Sequence, residues 1–121
     1  VEILESPYKA YRVYIWEPEY STIIYAKSAS QAKSKYYNDG EFGLDFFDAV
    51  RQMVVRREKD RDINQPLEYI NRRYGTSFII GQHIIADNAR GWIIGEKNGY
   101  VKVGHGNGRE WVYHPSDVKA I

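Results

Sequence analysis

Residues 81–121 read GQHIIADNAR GWIIGEKNGY VKVGHGNGRE WVYHPSDVKA I, and the reading of this stretch decides the fold. Runs rich in β-branched and aromatic residues at 83–86, 91–95, 100–104, 109–113 and 118–121 alternate with clusters of Gly, Asn, Asp and Pro. The first kind of residue packs well on a pleated surface, and the second breaks strands and makes turns. Asn98-Gly99 is a strong hairpin signal, because both residues tolerate the positive φ that a type I′ turn demands. Five short strands on tight turns predict a small closed barrel over residues 76–121.

Immediately before it, Asn64 reads as a helix cap, Pro66 as a first-turn residue and Gly75 as the C-terminal stop. Leu67, Ile70 and Tyr74 form the apolar stripe between them. This predicts a linking helix over 63–75. The mixed charges of 58–62 read as a solvated linker or strand end. Residues 1–9 show no clear period. Then Tyr11, Val13 and Ile15 alternate with Arg12, Tyr14 and Trp16, and Glu17-Pro18-Glu19 separates this strand from a second at 20–26. Ser28, with Gln31 three residues on, begins a helix that Asn38-Asp39-Gly40 ends. A short helix is predicted at 44–50 and a third strand at 51–57. The chain thus reads as α+β, with a β-β-α-α-β subdomain over 1–62, the linking helix, and the barrel.

Composition narrows the chemistry. The 121 residues contain no cysteine, which excludes disulfides, thiolate metal sites and a cysteine nucleophile. The absence fits a reducing cytoplasm. No apolar run approaches the roughly 20 residues needed to cross a bilayer, so no membrane partner is expected. Seventeen Lys and Arg against sixteen Asp and Glu give a net charge of +1, which supplies no strong pull toward a polyanion. The distinctive feature is 15% aromatic content with 11 tyrosines, since aromatic residues are enriched in interface cores.

The C-terminal segment resembles the SH3-like small barrels in their KOW-type form. Gly81-Gln82-His83-Ile84-Ile85 resembles the opening strand, Arg90-Gly91-Trp92-Ile93-Ile94-Gly95 the second and Tyr100-Val101-Lys102-Val103 the third. Tyr113-His114-Pro115-Ser116-Asp117-Val118 resembles the turn into the last strand. The whole chain also resembles small uncharacterised phage and prophage proteins that join a β-β-α leader to such a barrel. The resemblance implies binding of RNA, DNA or protein segments through strand faces and loops. The segment departs from a nucleic-acid-binding module in charge. Residues 76–121 carry five basic and four acidic side chains, too few surplus cations for a phosphate-binding surface.

Several constellations invite catalytic readings. His83, His105 and His114, with Asp87 or Asp117, contain the residue types of a metal or acid/base site but not the spacing. Ser116, Asp117 and His114 crowd one turn, where nucleophile, base and orienter do not line up. The 104–108 glycine loop joins two strands, whereas a phosphate cradle runs from a strand into a helix. Glu41, Asp45 and Asp48 read as a solvated helix face. Neither enzymatic activity nor a cofactor is expected.

The binding candidates are aromatic and basic: Tyr14, Trp16, Trp92, Tyr100, Trp111, Tyr113, Arg72, Arg73 and Lys102. Tyr14 and Trp16 are expected on one face of the first strand. The barrel rings are divided between core and surface. A protein partner or self-association is favoured, and nucleic acid is the alternative. The alternative draws on basic residues such as Lys33, Lys35, Arg72 and Arg73 interleaved with Tyr36, Tyr37 and Tyr74.

Overall fold

The computed structural model describes residues 4–62 and 65–121. The fold is α+β, with three helices and two antiparallel sheets of three and five strands. The chain divides into two compact units, Lys9–Asp60 and Val1–Tyr8 with Arg61–Ile121.

In the Lys9–Asp60 unit, β1 (Lys9–Ile15) lies between β2 (Thr22–Ala26) and β3 (Met53–Arg57). A one-turn 3₁₀ helix, Pro18–Tyr20, makes the first hairpin. Helices α1 (Ala29–Asp39) and α2 (Phe46–Gln52) cover one face of the sheet. The alternation along β1 explains which face they cover. Val13 packs with Ala26 and Ala32, and Ile15 packs with Ala49 and Met53. Tyr36, Tyr37 and Phe42 close over these small residues.

The start of α1 depends on Ser28. Its hydroxyl accepts from the Gln31 N–H at 3.1 Å, and the Gln31 side chain reaches back to the Lys27 N–H at 2.7 Å. The predicted capping pair is therefore present, displaced by one residue at its return bond. Ser28→Ala should lower the melting free energy by about 1 kcal/mol. A change below about 0.3 kcal/mol in denaturant titrations would show that the cap contributes nothing.

In the other unit, α3 (Glu68–Tyr74) precedes β4 (His83–Ala86), β5 (Ala89–Lys97), β6 (Tyr100–Gly104), β7 (Glu110–Tyr113) and β8 (Val118–Ala120). The strand order is β7-β6-β5-β4-β8. Gly75 ends α3 in the left-handed conformation (φ 68°), as its position after the apolar stripe requires. The helix is shorter than the sequence suggests, because Pro66 forms an isolated bridge with Ile79 and does not enter the first turn. The predicted Asn64 cap lies outside the described residues. In the β4–β5 hairpin β4 has its expected bounds, and β5 extends beyond the expected 91–95 at both ends. Asp87 and Asn88 both take positive φ (54° and 59°) and reverse the chain in two residues, as Asn98-Gly99 does between β5 and β6.

The sheet is open, which corrects the expected closed barrel. Among the described residues β7 pairs only with β6, and β8 pairs only with β4. β8 has three residues, and its full length is used by β4. Among the described residues no pairing joins the β7 and β8 edges. The core of this sheet is Ile84, Ala86, Ile93, Val101, Val103 and Val118, all buried. The segment Leu4–Tyr8 packs on the other face of the sheet, against His83, Trp92 and Gly104. Leu4 N–H donates to His83 Nδ1 at 3.1 Å, and the Trp92 indole N–H donates to the Leu4 carbonyl at 3.0 Å. Among the described residues no helix is long and apolar enough to cross a membrane.

Candidate functional site

The register of β6 against β7 places Trp111 opposite Val103 and Tyr113 opposite Val101. Directly opposed residues in a ladder project to the same side, so both rings leave the side that the buried valines occupy. Both valines are fully buried, yet Trp111 is 61% exposed. The difference follows from sheet order. β7 is an edge, and among the described residues no strand pairs on its far side. There a groove of about 560 Å³ is lined by Ile85, Asp87, Asn88, Trp111, Tyr113, Ser116, Asp117 and Lys119.

Tyr113 is fixed in this groove by His105. The His105 Nδ1 lies 2.8 Å from the Arg90 carbonyl, which only accepts, so Nδ1 carries the proton. Nε2 then accepts from the Tyr113 hydroxyl at 2.8 Å. The glycine loop around His105 thus serves to orient a ring. Arg109 reaches Asp87 at 3.5 Å at the groove margin, a solvent-exposed pair of little energetic weight. On the other side of β7 lies a smaller hollow of about 220 Å³, lined by Lys97, Lys102, Glu110, Trp111 and Val112.

The remaining sequence candidates are placed elsewhere. Trp92 is half-buried, stacked on His83 with ring centroids 5.1 Å apart and tilted against Tyr8, so it serves internal packing. Tyr100 is exposed and meets the edge of His114, as does Tyr74. Arg72 and Arg73 are exposed in the last turn of α3, next to Tyr74. In the Lys9–Asp60 unit, Tyr14 opposes Val54 on the sheet face away from the helices.

Trp16 does not share the Tyr14 face, which corrects the expected pairing. It follows β1 with φ 67°, and that turn breaks the strand alternation. Its ring meets Phe42 edge-on, and its indole N–H donates to Gln52 at 2.6 Å.

The Ser116–His114 pair does approach, with Oγ 2.8 Å from Nδ1. However, Nδ1 also accepts from the Ser116 backbone N–H at 3.1 Å, so the imidazole caps the 3₁₀ turn Pro115–Asp117. Among the described residues no three His, Asp, Glu or Cys side chains gather as a metal-binding group.

Trp111, Tyr113 and Lys102 are therefore the candidates brought together around β7. Sequence reasoning missed Ile85, Asp87, Asn88 and Lys119. They come from β4, β8 and a turn, and only the strand order makes them neighbours of the groove. No protein-family model, curated protein or solved structure matches the chain.

Proposed function

We propose that the chain is a non-enzymatic protein-interaction module that takes a segment of a protein partner into the groove beside β7. The observation that carries this reading is Trp111. It is a large ring at a core-facing register, left uncovered on an edge strand and flanked by Tyr113. Rings of this kind supply apolar area with few rotatable bonds and dominate the energetics of many interfaces. Apart from Ile85, the rest of the lining is Asp, Asn, Ser and Lys, which suits a polar rim around an apolar anchor. The strand order also supports the finer reading of this sheet as an SH3-like small barrel. The last strand returns beside the first, as in a five-stranded small barrel, although the β7 and β8 edges stay unpaired.

Panning random displayed peptides on the purified protein tests the proposal. Enriched peptides should bind the native chain and lose about tenfold or more in affinity to Trp111→Ala, the loss usual for an aromatic anchor. The substitution is at an exposed site and should leave the fold intact. No enrichment, or peptides indifferent to Trp111→Ala, would overturn it.

A second reading rests on Tyr74 and Tyr100 around His114, with Arg72 and Arg73 in the same helix turn as Tyr74. Exposed rings beside guanidinium groups stack bases and hold phosphates. Binding to labelled single-stranded DNA or RNA that weakens steeply with salt would favour it over the protein-binding reading.

A further inference from the structure

The groove beside β7 has a strand edge, unpaired among the described residues, as its wall. Edge strands in soluble proteins are commonly blunted by Lys, Pro or a bulge. β8, the other edge of the sheet, is short and carries Lys119. β7 reads Glu-Trp-Val-Tyr, with neither Lys nor Pro, and its ladder with β6 runs without a register shift.

The direction of its backbone groups follows from one bond. His105 N–H donates to the Arg109 carbonyl at 2.9 Å, at positions in line with the β6–β7 register. Hydrogen-bonded pairs recur at every second residue of an antiparallel ladder. Trp111 and Tyr113 therefore turn their backbone groups toward β6, and Val112 turns its own outward.

We propose that β7 pairs edge to edge and antiparallel with β7 of a second copy of this chain, Val112 opposite Val112, across a twofold axis. This rests on the reading of the groove as a docking surface and names its occupant. Outward-facing residues must meet outward-facing residues, so the parity of the match is fixed. With Val112 at the axis, Trp111 of each copy opposes Tyr113 of the other. Rings meet rings on the side of the larger groove, as favourable cross-strand aromatic pairs. Glu110 of each copy falls opposite His114 of the other, on the side of the sheet that carries Lys102 and the smaller hollow. The contact is isologous, the arrangement that closes at two subunits. With only four residues per strand, it belongs to the weak, concentration-dependent class of association.

The chain has no cysteine, so Val112→Cys introduces a unique thiol at the axis. Paired residues at this separation fall within disulfide reach. Under mild oxidation, Val112→Cys should form a covalent dimer at least about tenfold faster than Lys119→Cys on the opposite edge. Sedimentation of the native chain should show monomer and dimer exchanging as concentration rises. Val112→Pro, which removes the outward N–H, should move that transition to at least about tenfold higher concentration.

A chain that sediments as monomer throughout, with Val112→Cys no faster than Lys119→Cys, overturns the proposal. The cysteine comparison decides the matter even if Val112→Pro unfolds. If the chain is monomeric and still captures peptides through Trp111, the second copy is the wrong occupant and the docking groove stands. If neither association nor capture is found, both readings fall.

Discussion

Tyr8→Ala should cost about 3–5 kcal/mol of folding stability, the loss typical of a large ring removed from a packed interior. Tyr8 is only 2% exposed, although it lies in a stretch with no regular pattern. Its ring lies against Gly104 so closely that a Cβ there would overlap the phenol. Its hydroxyl accepts from the Gly106 N–H at 3.0 Å, and its ring centroid is 6.4 Å from that of Trp92. Burial pushes the phenol above its ordinary pKa, so it stays protonated through the neutral range. Alanine would leave a cavity beside Gly104 and remove the hydroxyl that accepts the Gly106 N–H. Tyr8→Phe keeps the ring and loses one hydrogen bond, so it should cost only about 1 kcal/mol. Urea titrations of the two variants measure the difference. A Tyr8→Ala curve within about 1 kcal/mol of the native one would mean that the leader contributes little to the unit it packs in.

Tyr8 also marks where local sequence stops being informative. The elements themselves were legible. Alternation located β1, the Ser28 cap located α1, and Asn98-Gly99 located the β5–β6 turn, because each depends on residues adjacent in the chain. The role of residues 4–8 was not legible. It depends on contacts with His83, Trp92 and Gly104, and no periodicity reports a partner that distant. The barrel rings show the same division. Trp92 and Trp111 look alike as sequence, each a tryptophan in a β run. Trp92 is half-buried against Tyr8 and His83, whereas Trp111 stands exposed on the edge strand β7. The connection after β4 was expected over 87–90, and its two-residue Asp87-Asn88 form was not foreseen. It adopts the positive φ angles of an Asn-Gly turn without the glycine that usually signals them. The groove was hardest to foresee, since it exists only because β7 and β8 do not pair.

The second large effect is an acid-sensitive loss of stability centred on His83. Its ring is 4% exposed and stacked nearly parallel to Trp92. Nδ1 accepts the Leu4 N–H, so the proton of the neutral ring is on Nε2, which has no hydrogen-bond partner among the described residues. Burial, and then the positive charge of Arg90, hold its pKa below the ordinary value of 6.5. The sign follows from linkage. Well above pH 6.5 the ring is neutral folded or unfolded, and pH has no leverage through it. Below that value the unfolded chain takes up a proton that the folded chain refuses. Stability therefore falls by up to about 1.4 kcal/mol per pH unit until the folded ring itself protonates. When it does, Nδ1–H faces the Leu4 N–H, two donors without an acceptor, and the hold on Leu4–Tyr8 is lost. His83→Phe keeps a ring against Trp92 but cannot titrate. Urea titrations of both proteins from neutral pH to about pH 5 should show a steeper decline in the native chain, the variant being less stable near neutrality because it cannot accept the Leu4 N–H. Parallel declines would show that His83 does not carry the acid response.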